Sequence, residues 1–506
     1  MKKLILLLMI LGFISPVFSQ SKDPFAHKDD TTSTRAIFGQ DNRVSAYTYN
    51  DFTRATAVAV KTSQFRGNYL TGSSLGAKLM QQAKSTGANP GYVSSEVRFT
   101  KEPAMAFCTG FLIAPDILVT AGHCLNSSNY RTMEWVFDYT NGLKYTPGGS
   151  IYISPDKRYK VKKLISHKYN SKTNDDYCVL QLDRPVTRKP FRFRTGNDPE
   201  FNAKINTLGS PKGLPLKLVR DGYISQVYTK QFHTNLDVFG GNSGGPVYNA
   251  NGFIEGILVS GPVKGKMKGY HIDESCNCIV EDKYDDLFDP ILGYGAVVYR
   301  MSNIPWQYKT RAIYENIEYA IKNSDNQRFD DWIAYSWILK EPTLNHREPL
   351  AFVAAKAQNL RALKKIIGAG YDVDGTNSSG QSLMNVAIAN RDMEMIKYLL
   401  KEGFDPNFKK GGYKPLIYSA IDSYDAEIVK LLVKNGADVN YKSYYGAMPL
   451  HYAIVNANQA VVSALLDSGA DINAKNSKGW NVKKIARKAK RKEMKKFIKK
   501  EMKLRK

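Results

Sequence analysis

The sequence predicts a chain of two unlike halves, an all-β half followed by an all-α half built from repeated helix pairs. Three observations carry this. Between about residues 37 and 306, short runs rich in β-branched and aromatic residues alternate with Gly, Pro, Asn and Asp, the pattern of many short strands. From about 310 to 480 the apolar residues switch to helical spacing. Within that second stretch Gly370, Gly403, Gly436 and Gly469 recur every 33 residues. With 506 residues the chain is long enough for two or more cores, and 43% hydrophobic with 24% charged is the composition of a folded chain rather than a disordered one.

Residues 1–19 read as a secretory signal peptide. Lys2 and Lys3 form a positive start. Leu4 to Phe18 is apolar apart from Ser15 and is broken by Gly12 and Pro16, and Ser19 places a small residue before a cleavage point at Gln20. No other stretch approaches the roughly 20 apolar residues of a membrane helix. The expectation is a protein that is secreted or periplasmic. Residues 20–36 are polar and without period, and are read as a propeptide. Export permits disulfides. There are five cysteines, Cys108, Cys124, Cys178, Cys276 and Cys278, so at least one is unpaired or bonded to another molecule.

The β-half, 37–306, shows strand-like runs at Gly110 to Thr120, Tyr177 to Leu182, Gly245 to Tyr248, Phe253 to Val259 and Ala296 to Met301. Three segments of it carry chemistry. An apolar run ends in Thr120-Ala121-Gly122-His123-Cys124. Asp175-Asp176 precedes the alternating run Tyr177 to Leu182. Gly240-Gly241-Asn242-Ser243-Gly244-Gly245-Pro246 surrounds one serine with glycines. A serine hydroxyl is a weak nucleophile near neutral pH and needs a base in hydrogen-bond reach; His suits because its pKa lies near operating pH. A carboxylate must hold that His in one tautomer. The developing oxyanion needs two fixed donors, which the glycine-flanked amides of Gly241 and Ser243 can supply.

These segments resemble the trypsin/chymotrypsin class of serine peptidases. The resemblance implies a chymotrypsin-type double β-barrel over 37–306 and an endopeptidase with His123 as general base, Asp176 as its orienting acid and Ser243 as nucleophile. Asp175 competes with Asp176, and the small Cys178 two residues on favours Asp176. The resemblance also implies a Cys108–Cys124 disulfide bridging the histidine loop. Cys178 reads as a buried small hydrophobe rather than a reactive thiol. Gly256 to Gly261 resembles the strand along which substrate adds, placing Ser260 and Gly261 at the substrate, and Ala296 to Ser302 the strand behind the specificity pocket. A degenerate domain kept only as a binding scaffold is the alternative; the intact triad opposes it.

Ile37-Phe38-Gly39-Gln40-Asp41-Asn42-Arg43 resembles the mature start of bacterial glutamyl-endopeptidase-like enzymes, and Asn242 fits that subgroup. Trypsins carry Asp there, paired with a new amino terminus on activation; Asn puts that mechanism in doubt. Specificity pulls two ways. The subgroup implies cleavage after Glu, but its pocket His and Thr correspond here to Val259 and Val238. Asp237, six residues before Ser243, has the spacing of the pocket acid in enzymes that cut after Arg or Lys. Both readings, and an Asp237 that is only structural, stay open.

The helical half resembles ankyrin repeats. Each phased Gly opens a similar segment, such as Gly436-Ala-Asp-Val-Asn, Ala354, Ala387, Ala420, Ala453 and Ala486 keep the period, and Met448-Pro449-Leu450-His451-Tyr452-Ala453 resembles the repeat's opening. The resemblance implies an all-α solenoid over 347–479 and a protein partner. Residues 307–346 are read as a helical linker or degenerate capping repeat.

Net charge is +25, from 72 basic and 47 acidic residues. Residues 483–506 hold fourteen Lys or Arg and two Glu, a net of +12. Apolar residues keep the repeat's phase there, so 480–506 reads as a basic capping repeat that also offers a surface to anionic partners, with nucleic acid not expected of an exported chain. No cofactor and no metal is implied: the seven His are scattered, and the glycine run at 240–245 has no Lys after it.

Overall fold

The computed structural model describes residues 43–47, 50–144, 146, 149–195, 199–261, 270–281, 295–333, 338, 347–408, 415–443 and 446–505. The expected signal, the propeptide and Ile37 to Asn42 lie outside the described residues, as does much of 334–346. Two compact units divide between Pro305 and Trp306.

The first unit holds two closed six-strand rings. In the first, Arg158–Asn170 pairs with Asp175–Leu182, which continues through Ile117–Thr120, Cys108–Ala114, Thr56–Lys61 and Met133–Phe137 back to Arg158–Asn170. In the second, Lys217–Val227 pairs with Lys204–Gly209, followed by Pro246–Asn249, Phe253–Ser260, Ala296–Arg300 and Gln231–Thr234, which closes on Lys217–Val227. Closure leaves no free sheet edge around either ring. The second ring fills with Ile205, Val219, Ile224, Phe232, Val247, Leu258 and Val298, all buried.

The run Gly110 to Thr120, expected as one strand, is a hairpin that turns at Pro115-Asp116. Proline fixes its own φ and has no amide to give a ladder. The turn's carbonyls are used instead by Val186, whose amide donates to Pro115 at 2.7 Å, and Leu182, whose amide donates to Asp116 at 2.8 Å.

The β-half also contains a helix that its composition hid. Leu75–Ser85 starts at Ser74, whose side chain accepts the Ala77 amide at 3.3 Å. Leu75, Leu79 and Ala83 recur every fourth residue and face one way. They pack with Val97, Leu214, Tyr270 and Ile279, on a small sheet of Tyr92–Val93, Cys278–Glu281 and Tyr270–Asp273. Cys276 and Cys278 are joined as a disulfide at the hairpin of that sheet.

In the second unit, helices Trp306–Lys322 and Asn326–Ile333 precede five pairs: Leu350–Lys356 with Leu360–Gly368, Leu383–Ala389 with Met393–Lys401, Leu416–Asp422 with Ala426–Lys434, Pro449–Asn456 with Gln459–Asp467, and Val482–Lys488 with Lys492–Leu504. The five phased alanines are fully buried where helices meet. Gly370, Gly403, Gly436 and Gly469 have φ between +91° and +99°, the left-handed region that ends a helix and suits glycine. A second period explains the rest of the motif. Asn359, Asp392, Asp425 and Asn458, again 33 apart, cap the second helix of each pair through their side chains. Asn407 and Asn440 bridge to the next repeat, each donating to a phased glycine's carbonyl, Gly436 at 2.8 Å and Gly469 at 3.0 Å.

The basic end is a helix pair with Val482, Ala486, Met494 and Ile498 turned inward and its lysines largely exposed. Because each unit has its own core, deleting residues 310–506 should leave a first unit that melts cooperatively. An insoluble product would show that the units depend on each other.

Candidate active site

His123 sits in a single 3-10 turn, Gly122–Cys124, directly after the buried strand Ile117–Thr120. The turn passes so close to the neighbouring strand that a Cβ on Gly122 would lie 2.0 Å from the Lys168 carbonyl. The Cys108–Cys124 disulfide ties the turn to the start of strand Cys108–Ala114.

Asp176 holds the histidine twice. Its Oδ1 accepts the His123 amide at 2.9 Å, and its Oδ2 lies 2.8 Å from Nδ1 of the ring. With Nδ1 engaged, Nε2 is the nitrogen left for proton transfer. Asp175 points to the other side of the strand, as neighbouring strand residues must. There Lys230 pairs with it at 2.8 Å, Thr173 donates its hydroxyl at 2.8 Å and Tyr299 at 3.3 Å. The hydrogen bond from Lys230 holds the Asp175 carboxyl below its usual range. The two adjacent acids therefore have separate partners.

Ser243 lies in the loop before strand Pro246–Asn249, on the second ring. The Asn242 amide donates to Phe239 at 3.0 Å and the Gly245 amide to Asn242 at 2.8 Å, which shapes a tight turn. Gly241 has φ +107°, and a Cβ there would lie 2.3 Å from the Ser210 carbonyl. Among the described residues the amides of Gly241 and Ser243 donate to no carbonyl. Thr109, from the first ring, clasps this turn: its amide donates to Ser243 at 2.8 Å and its hydroxyl to Gly241 at 2.9 Å. Cys124 Sγ lies 3.6 Å from the Ser243 carbonyl, one residue past His123. The serine turn and the histidine turn are thereby brought side by side across the two rings. Sequence reading missed Thr109; its one signal was its place beside a half-cystine.

Cys178 is buried, and desolvation pushes its thiol up to about 12, so it is a poor nucleophile. Ser260 ends strand Phe253–Ser260 and is exposed, while Gly261 approaches so closely that a Cβ on it would lie 2.8 Å from the Val238 carbonyl. Val238 packs into the core of the second ring, and Asp237 beside it is 4% exposed. Residues 262–269 lie outside the described residues.

Two six-strand rings, with a histidine and its acid on the first and a serine in a glycine turn on the second, define the chymotrypsin-type architecture. Comparison with known families agrees. Residues 82–274 match the family model Trypsin, and residues 351–443 and 420–476 match ankyrin repeats in three copies. The first unit carries a domain of trypsin-like serine peptidase type and the second an ankyrin array. The chain is 28% identical over 150 residues to a glutamyl endopeptidase of Bacillus licheniformis, covering 28% of this chain and 45% of that protein. It is 35% identical over 82 residues to a trypsin of Phaedon cochleariae, 16% of this chain and 29% of that one. It is 27% identical over 172 residues to an extracellular metalloprotease of Bacillus subtilis, 31% of this chain and 50% of that one. The chain thus spans half or less of the length of these relatives. The last name speaks of a metal in that protein. Among the described residues the one cluster of three potential ligands is Cys108, His123 and Cys124, whose two sulfurs are bonded to each other.

Proposed function

We propose that this chain is an exported serine endopeptidase working through His123, Asp176 and Ser243. The observation that carries the reading is the doubly held histidine, with Asp176 on Nδ1 at 2.8 Å, beside a serine turn whose two amides donate to no carbonyl among the described residues. His123 takes the Ser243 proton as the hydroxyl attacks a peptide carbonyl, and Asp176 stabilises the imidazolium. The amides of Gly241 and Ser243 receive the oxyanion. His123 then hands the proton to the leaving amine, and water hydrolyses the acyl-enzyme by the same route. Substrate adds as an extended strand beside Ser260 and Gly261. Export is supported by the character of residues 1–19 and by two disulfides, which form in oxidising compartments. The ankyrin array serves as a protein-binding surface, and the basic final pair as a contact for anionic surfaces. Profiling cleavage of a peptide library by wild type beside Ser243→Ala tests the activity. Internal cuts by the wild type alone support it; equal cutting by both refutes it.

Cleavage after Arg or Lys is the specificity favoured here, because a buried carboxylate at Asp237 would pair with a basic side chain and repel an acidic one. Val238 and Val259 offer an acidic side chain no donor. Matched Arg, Lys, Glu and Phe peptides should show a basic preference that Asp237→Ser lowers by about 10- to 100-fold. A Glu preference in the wild type, or an Arg preference untouched by the substitution, removes Asp237 as selector.

A further inference from the structure

The serine turn is braced from behind by residues that the mechanism above does not use. Arg43, just past the Ile37 to Asn42 segment, is 1% exposed. Its guanidinium carbon stands 4.3 Å from the ring centroid of Phe239 and 5.6 Å from that of Phe99. Its Nη2 is paired with Glu281 at 2.5 Å, and its backbone carbonyl accepts a hydrogen bond from Arg98 at 2.8 Å. Phe239 in turn packs on the satellite core made by helix Leu75–Ser85 and the sheet that ends at Glu281.

Phe239 is the residue on which the turn closes. Its carbonyl accepts the Asn242 amide at 3.0 Å, and the next carbonyl, Gly240, accepts the Lys212 amide at 2.6 Å. The Asn242 bond sets the peptide planes on both sides of it, which are the planes that aim the Gly241 and Ser243 amides. A shift of Phe239 rotates both donors together. Asn242 cannot hold the turn by an ion pair: it is neutral, 2% exposed, and its Oδ1 has no hydrogen-bond partner among the described residues. A carboxylate at that position could be anchored by a cation; an amide cannot. Arg43, a buried cation, instead faces the ring of Phe239, two residues before Gly241.

We infer that Arg43 is a positioning residue, which fixes the two oxyanion donors by holding Phe239 between its guanidinium and the satellite core. The inference rests on the reading of Ser243 as nucleophile. A guanidinium stacked on an aromatic face and out of water is held by a stronger attraction than one in solvent, and its own charge is balanced by Glu281. The satellite helix and sheet then have a role in the chemistry: they carry the other face of the clamp.

The test compares wild type, Ser243→Ala, Arg43→Met, Arg43→Lys and Phe239→Leu as full-length proteins. A peptide amide gives kcat and KM, and a peptide aldehyde, whose adduct oxygen occupies the oxyanion position, gives a binding constant. Arg43→Met should lower kcat on the order of 10- to 100-fold with KM within about twofold, part of the loss seen when an oxyanion donor is removed outright. The aldehyde should weaken by the same factor, and Arg43→Lys should recover most of both. Should Arg43→Met not fold, Phe239→Leu carries the test and should show the same kcat loss at unchanged KM. Wild-type kcat in the variants overturns the inference. So does a loss that spares aldehyde binding, which a merely structural role would give. Absence of Ser243-dependent turnover in the wild type overturns the reading of the site and this inference with it.

Discussion

Replacing Ser243 with Ala is expected to lower kcat by about 10⁴ to 10⁶, because the nucleophile is lost while binding and oxyanion donors remain. Thermal stability should stay within about 2 °C of wild type, since loss of one half-buried hydroxyl that holds no fold contact changes little. The structure gives the reason. The contacts that fix this turn belong to the backbone of Ser243 and Gly241, clasped by Thr109, and not to the serine hydroxyl. A Ser243→Ala protein that keeps a tenth of wild-type turnover contradicts the assignment. So does one that unfolds, since the turn would then depend on the hydroxyl.

Asp176→Asn should cost about 10⁴ in kcat with little change in fold. The asparagine can keep the shape, but it cannot stabilise the imidazolium, and its amide favours the wrong histidine tautomer. Asp175→Asn is the control, one residue away. It should leave kcat within about tenfold, well short of the loss of an acid that orients the base, and act on stability instead. The pH dependence separates them further. Lys230 holds the Asp175 carboxyl below its usual range, so the folded state binds that proton less readily than the unfolded chain does. This stabilisation is full above the unfolded value of about 3.9 and is lost as pH falls through the lower folded value. Wild type should therefore lose stability below about pH 4 more steeply than Asp175→Asn. If Asp175→Asn abolishes turnover and Asp176→Asn does not, the acid has been misassigned.

How much of this was legible in the sequence follows from the range over which each contact acts. The histidine, acid and serine segments each carry their own flanking pattern, and the repeat glycines sit at a fixed period. These could be read locally. The distinction between Asp175 and Asp176 was half legible. The register of Cys178 favoured Asp176, but only the fold shows that Asp175 is occupied by Lys230, fifty-five positions on. Helix Leu75–Ser85 had a readable pattern in Ser74, Leu75, Leu79 and Ala83, which the surrounding strand-like composition masked. The second ankyrin period, Asn359 to Asn458, was equally visible and passed unread because capping residues vary between Asn and Asp. The clamp of Arg43 on Phe239 was not legible. Its ion pair to Glu281 spans 238 positions, and nothing in either neighbourhood points to the other. The Cys276–Cys278 pairing was likewise open, since five cysteines allow several arrangements.

The central claim is that Ser243 is a nucleophile activated by His123. It is tested most directly by treating the folded, full-length protein with a fluorophosphonate and mapping the adduct by peptide mass spectrometry. One phosphonyl group per chain, carried on the Ser243 peptide and absent from His123→Ala, is the predicted result. A folded wild-type protein that takes up no label, or that takes it up at another serine, contradicts the account.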